Sequence, residues 1–298
     1  MTAAQRGDAL VRAMPIVFVL IWSTGFIVAR YGMPHASPFK FLAVRYGLSI
    51  LCFLPWIWIS RVPWPSSRRQ WAHLAVTGVL MHACYLGGVW AAVKAGMGSG
   101  LSALIVGLQP VLTAIWLSSS GTQVSRRQWT GLGLGFTGLA LVVSRKFGDG
   151  SAGDQVDWAS LSLAVGALLS ITVGTLYQKR YVAACDVRSA SVVQLGAALL
   201  ATLPLVLFEG EVMRWNAGLV GAMAWSVLAL TLGGSSLLDL LIPRGAATTV
   251  TSLFYLVPPT TALMAWLLFA EPVTMTTLAG TALTAFGVSL VVRRQKQA

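Results

Sequence analysis

The chain has 298 residues, 56% of them hydrophobic and only 10% charged, with a mean hydropathy of +0.74 and a formal net charge of +12. A soluble domain carries about 25% charged residues, so the outside of this molecule must also be apolar, which excludes a soluble domain of useful size. The basic residues stand in short clusters between apolar runs, as in Arg68-Arg69, Arg126-Arg127, Lys179-Arg180 and Arg293-Arg294; that is a pattern of topology signals and excludes nucleic acid as a partner.

Apolar runs of around 20 residues, long enough to cross about 30 Å of hydrocarbon, follow one another along the chain. They predict an all-α membrane protein with ten helices, near 14–31, 38–60, 71–92, 97–118, 126–145, 157–181, 189–208, 216–241, 246–269 and 273–292. The first follows Arg6 and Arg12 in the manner of a signal peptide. No small-x-small cleavage site leads into a soluble mature domain, so it is read as a membrane helix. It carries Trp22 and Thr24. The second opens PFKFLAVRYG, which places Arg45 about two turns in from the outer end. Its guanidinium either snorkels to loop carbonyls or attracts a substrate carboxylate or an outer-gate contact.

The third helix carries His82 and Tyr85 at i, i+3, then Trp90, with Lys94 following as an interfacial residue. The fourth holds GLQPVLTAIW, in which Gln109, Thr113 and Trp116 share a face and Pro110 cannot donate to the carbonyl of Val106. In the fifth, Gly133, Gly135 and Gly138 match GxGxxG but follow no strand, so they are read as close helix packing. The sixth presents Ser170, Gly174, Tyr177 and Gln178 on one face. The eighth ends in SSLLDLLIPR, whose Asp239 is the only carboxylate inside a spanning run. It is either a gating or coupling group at membrane depth or an interfacial acid paired with Arg244. The ninth holds LVPPTTALMAW, with Tyr255 before it and Pro258-Pro259 within it. Glu271-Pro272 opens the tenth, where an acid suits the helix dipole and proline the first turn.

Sliding the chain by 149 residues superposes 96–145 on 245–294 without a gap, with roughly eleven identities in fifty. Gly131 meets Gly280, Gly138 meets Gly287 and Pro110 meets Pro259. Two five-helix units follow, 1–148 and 149–298. An odd number of helices per unit forces opposite orientations, an inverted repeat. With the N-terminus cytoplasmic, about fourteen Lys/Arg fall on that side and about six on the other, so both termini are expected inside. Helix breaks at Pro110 and at Pro258-Pro259, matched between the units, point to a binding site beside them. The expected lining is polar and aromatic: Trp22, Thr24, His82, Tyr85, Trp90, Gln109, Trp116, Tyr177, Gln178 and Tyr255, with Arg45 and Asp239 at a gate or coupling point.

The run LIPRGAATTVTSLFYLVPPTTALMAWLLFAEPVTMTTLAGTALTAFGVSLVVRR closely resembles the EamA family of the drug/metabolite transporter superfamily. IWSTGF, PFKFLAVRYG and GLSALIVGLQPVLTAIW extend the resemblance over the first half. It implies ten helices in two inverted halves and carriage of small metabolites across the cytoplasmic membrane, and it is nearest to the YddG-type exporters of aromatic and other neutral amino acids. Two positions depart from the family pattern: Thr122 where an acid is usual, and Asp239 where an apolar residue is usual.

The expected function is secondary export of small metabolites, neutral or aromatic amino acids first, by alternating access of the two halves. The alternatives are a proton-coupled exporter of drugs or other metabolites and a membrane-embedded enzyme. His35, His73 and His82 are scattered and neither HExxH nor GxSxG occurs, which disfavours an enzyme. Without a Walker A motif, ATP is not expected to drive the protein. Cys52, Cys84 and Cys185 have no paired spacing, so neither a disulfide nor a metal site is expected. No cofactor is expected. The partners are a small-molecule substrate and the lipid bilayer, and the protein itself is a monomer or weak homodimer in the bacterial inner membrane.

Overall fold

The computed structural model describes residues 3–119, 125–147, 156–234, 237 and 254–292. They form ten helical segments: α1 Ala3–Gly32, α2 Pro38–Ile59, α3 Arg68–Lys94, α4 Ser99–Val106 resuming as Gln109–Ser119, α5 Arg126–Lys146, α6 Trp158–Tyr181, α7 Val187–Val206, α8 Ala217–Gly233, α9 Val257–Phe269 and α10 Met275–Val292. Among the described residues no strand forms beyond one isolated bridge between Phe147 and Val156. Asp239 and Arg244, together with Thr122, lie outside the described residues.

The helices start where short polar side chains cap them. Ser125 and Gln128 close a reciprocal capping box on α5, and Asp157 and Ser160 do the same on α6. Asp186 caps α7 and Asn216 caps α8. Between these polar ends the chain is apolar on all sides. Leu51, Trp58, Leu200, Leu207, Phe208 and Leu267 are exposed, as a bundle solvated by lipid requires.

The tenth helix starts differently from expectation. Thr274, not Glu271, caps α10, its Oγ1 accepting from the backbone N–H of Thr277. Glu271 instead reaches across to α4, where its buried carboxylate accepts from the N–H groups of Ser99 (2.9 Å) and Gly100 (3.4 Å). The acid still serves a helix N-terminus. That terminus belongs to the other half of the chain.

The tightest crossing joins α5 to α10 through glycines. A Cβ on Gly131 would stand 2.5 Å from the carbonyl oxygen of Gly287, and one on Gly138 would stand 2.5 Å from that of Gly280. As one number rises the other falls, so the two helices run antiparallel. These are the glycines that the 149-residue slide equates, Gly131 with Gly280 and Gly138 with Gly287. The contact therefore maps onto itself when the halves are exchanged. The Thr284 hydroxyl donates to the carbonyl of Gly135, its own counterpart at the same offset, which places the exchange axis at this point.

The breaks in α4 and α9 also meet. Gly107 and Leu108 form the turn inside α4, and a Cβ on Gly107 would come within 2.7 Å of Pro258 Cγ. Pro110 is the second residue of the resumed α4. Pro258 and Pro259 sit in the first turn of α9, after a 3₁₀ turn at Phe254–Leu256. Each proline restarts a helix at a position that needs no N–H donor.

Candidate functional site

A cavity of about 430 Å³ lies within the bundle, walled by α1, α2, α3, α6, α7 and α8. Its walls are mostly apolar and aromatic, with Trp22, Phe26, Tyr46, Tyr85, Val89, Trp90 and Ile171 among them. Its polar groups are few: Arg45 on α2, His82 on α3, Gln178 on α6, Ser191 and Gln194 on α7, and Thr231 on α8.

Two helices change their winding to present these groups. Val79–Cys84 in α3 and Ser226–Gly233 in α8 are π-helical, and within them Met81, His82, Leu230 and Thr231 face the cavity. Such widened turns are frequent at functional sites because they turn a side chain out of the regular helical register. The Thr231 hydroxyl donates to the carbonyl of Ser226, five residues back, which fixes it inside the widened turn.

The 149-residue offset extends into this region. It equates Arg45 with Gln194, Tyr46 with Leu195, Met81 with Leu230 and His82 with Thr231, and all eight line the cavity. Contacts across the cavity obey the same exchange. Arg45 donates to Thr231 Oγ1 through Nη2 (3.2 Å) and Nε (3.4 Å), while Gln194 lies beside the His82 ring. Each pair joins one half of the chain to the other. Neither Gln194 nor Thr231 stands out in the sequence, because the repeat is read from identities and here the paired residues differ in type. Applying the offset upstream of residue 96 would have found both.

The cavity has one closed end and one end at the surface. At the closed end Trp90, 1% exposed, stacks on Phe41 with ring centroids 4.4 Å apart. Beyond it the α7–α8 connection is fastened to the α1–α2 and α3 ends. Lys94 Nζ pairs with Glu211 at 2.6 Å and donates to the carbonyl of Met33, while Glu209 accepts from the N–H groups of Phe39 and Lys40, and Arg214 N donates to His35 O. At the other end the wall is the α6–α7 connection, Val182 to Cys185, where Ala183 and Ala184 are exposed. There the Arg188 side chain, bonded to Asp186, holds that carboxyl below the usual range and also lies over the Trp56 ring, and burial pushes the Cys185 thiol up.

Of the residues expected at the site, Trp22, Arg45, His82, Tyr85, Trp90 and Gln178 line this cavity. Thr24 accepts from the indole N–H of Trp225, and Gln109 donates to Thr175. Tyr177 bonds His73 and packs at a tilt against Tyr181 near the mouth. Trp116 is exposed, and Tyr255 packs in a second apolar cluster with Leu104 and Leu108. Pro110, Pro258 and Pro259 stand at the crossing of α4 and α9, outside the cavity wall. Asp239 lies outside the described residues. No three His, Cys, Asp or Glu side chains gather as a metal site among the described residues.

An all-helical bundle with five helices long and apolar enough to cross a membrane, enclosing a largely apolar and aromatic cavity lined from both halves of the chain, defines a polytopic membrane protein. Within that class, the profile of the EamA-like transporter family matches the chain twice, over residues 10–144 and 158–293, and the chain belongs to that family. It is an integral inner-membrane protein. Over 93% of its length it is 24% identical to the uncharacterized transporter YvbV of Bacillus subtilis, covering 90% of that protein. It is also 24% identical to the uncharacterized inner membrane transporter YedA of Escherichia coli K12, over 71% of this chain and 66% of that one. A Salmonella typhimurium protein described as a probable amino-acid metabolite efflux pump is 21% identical over 94% of this chain and 93% of its own length.

Proposed function

We propose that the protein is a secondary exporter of small metabolites, with neutral and aromatic amino acids as its substrates, and that it works by alternating access of two inverted halves rather than by catalysis. The observation that carries this reading is the cavity: about 430 Å³, within the range of small-molecule sites, and bridged by polar pairs that exchange under the repeat. The antiparallel crossing of α5 and α10, which the repeat equates, supports the inverted relation.

The basic residues Arg61, Arg68, Arg69, Lys179, Arg180 and Arg188 cluster at the end where the cavity reaches the surface. The positive-inside rule makes that end cytoplasmic, with both termini on the same side. The conformation is then inward-open, and the Lys94–Glu211 and Glu209 contacts hold the outer end shut. Rocking the halves about the glycine crossing would release those contacts and close the α6–α7 connection over the substrate. The one efflux-pump description among the relatives supports the amino-acid class.

Efflux of a labelled metabolite panel from proteoliposomes tests this reading. Saturable efflux of phenylalanine, tryptophan or leucine, with no nucleotide present, is the expected result. Absence of flux for every metabolite in the panel, in both directions, would overturn it.

A further inference from the structure

Arg45 is 7% exposed and lies on the cavity wall, seven residues into α2, about 10 Å below that helix's first residue. A guanidinium has five N–H donors. Two of them reach Thr231 Oγ1, and among the described residues no other acceptor takes the remaining three. The five carboxylates among the described residues with placed side chains are all engaged elsewhere. Asp157 caps α6, Asp186 is paired with Arg188, Glu209 caps α2, Glu211 is paired with Lys94, and Glu271 caps α4. A buried cation with no counter-ion costs several kcal/mol and persists where something else supplies the negative charge.

The offset mate of Arg45 is neutral Gln194, so among the described lining residues the one guanidinium stands on one side of the exchange axis. A planar fork with three unspent donors matches the two oxygens of a carboxylate. The walls around it are aromatic and aliphatic, and no described carboxylate is placed to meet an ammonium group.

We propose that Arg45 anchors the carboxylate of the substrate, and that the carrier recognises aromatic monocarboxylates by that group and their apolar body without reading the 2-amino group by charge. This rests on the exporter reading above and narrows it. The 2-hydroxy and 2-oxo acids corresponding to aromatic amino acids then bind as the amino acids do, and the corresponding amines and amides do not. The carboxylate docks between Arg45 and Thr231, and the ring lies against Trp22, Tyr46 and Tyr85. Gln194, whose amide both donates and accepts, is left with the adjacent His82 for the substituent on the second carbon.

The test uses the whole protein in proteoliposomes exporting labelled phenylalanine, with unlabelled competitors. Phenyllactate and phenylpyruvate are expected to compete within about threefold of phenylalanine, and phenethylamine and phenylalaninamide at least tenfold more weakly. Arg45→Gln is expected to erase that difference, and Arg45→Lys to keep part of it. Ligand-dependent thermal shifts of the wild-type protein in detergent give the same ranking without relying on a variant or on flux. If amines and amides compete as well as the acids, or if the 2-hydroxy and 2-oxo acids fail to compete, the carboxylate assignment is wrong while the exporter reading stands. If phenylalanine itself does not move, the exporter reading fails first.

Discussion

Replacing Gly138 by alanine tests the close crossing of α5 and α10. The added Cβ would meet the carbonyl oxygen of Gly280 and the hydroxyl of Thr284, both at 2.5 Å, and the backbone N of Thr284 at 2.7 Å. Ordinary contact needs about 3.4 Å or more, so α10 must retreat by roughly 1 Å or twist along much of its length. Two of the three obstructing atoms are backbone and cannot rotate away. Overpacking of this kind costs about 1–3 kcal/mol. Gly133, on the opposite face of the same helix, has nothing within 4 Å of its Cβ position. There alanine is expected to be neutral or to stabilise by up to about 1 kcal/mol through helix propensity. Thermal unfolding of the purified variants in one detergent should place Gly138→Ala below the wild type and Gly133→Ala at or above it. Equal melting temperatures for the two variants would refute the close crossing, and with it the axis inferred from it.

Three further outcomes follow from contacts elsewhere. Glu271→Gln weakens the cap on α4, and a loss of about 1 kcal/mol in unfolding stability is expected, measured against Thr274→Ala, which uncaps α10 instead. Lys94→Met removes a partly exposed ion pair worth about 0–1 kcal/mol, so it should shift the population away from the inward-open form by no more than about fivefold. In a Cys52→Ser, Cys84→Ser background this reads as slower maleimide labelling of Cys185, and unchanged labelling would mean that the pair does not fasten the outer end. Arg188 depresses the Asp186 carboxyl in the folded protein, so that contribution to stability is present above the unfolded pKa of about 3.9 and is lost as pH falls through the lower folded value. A pH series should show Arg188→Gln losing less stability below pH about 4 than the wild type does, and parallel curves would contradict it.

The fold was legible because lipid imposes a length on each apolar run and water imposes polar caps between the runs. Ser125 with Gln128 and Asp157 with Ser160 mark their helix starts within a residue of the sequence reading. The start of α10 was misplaced because Glu271-Pro272 imitates a first turn. Only the folded chain shows that the carboxylate is drawn to the exposed N–H groups of α4.

The site was legible in part, for a physical reason. Close helix crossings demand small residues on both partners, so the repeat survives as identities where α5 meets α10. A cavity for an asymmetric solute has the opposite requirement, and Arg45 differs in chemistry from its counterpart Gln194, as His82 does from its counterpart Thr231. Searching for identities passes over such pairs. Prolines draw attention because they break helices, but Pro110, Pro258 and Pro259 serve the place where α4 crosses α9. The π-helical turns that aim His82 and Thr231 inward carry no proline or other signal in the sequence at all.

That the cavity is the transport path can be tested at the thiol of Cys185, which lines its mouth. Counterflow of labelled phenylalanine should be measured in proteoliposomes carrying Cys52→Ser and Cys84→Ser, before and after modification of Cys185 with a bulky maleimide. The account predicts saturable counterflow that modification abolishes and that excess substrate protects. Counterflow that continues unchanged with Cys185 fully modified would contradict it.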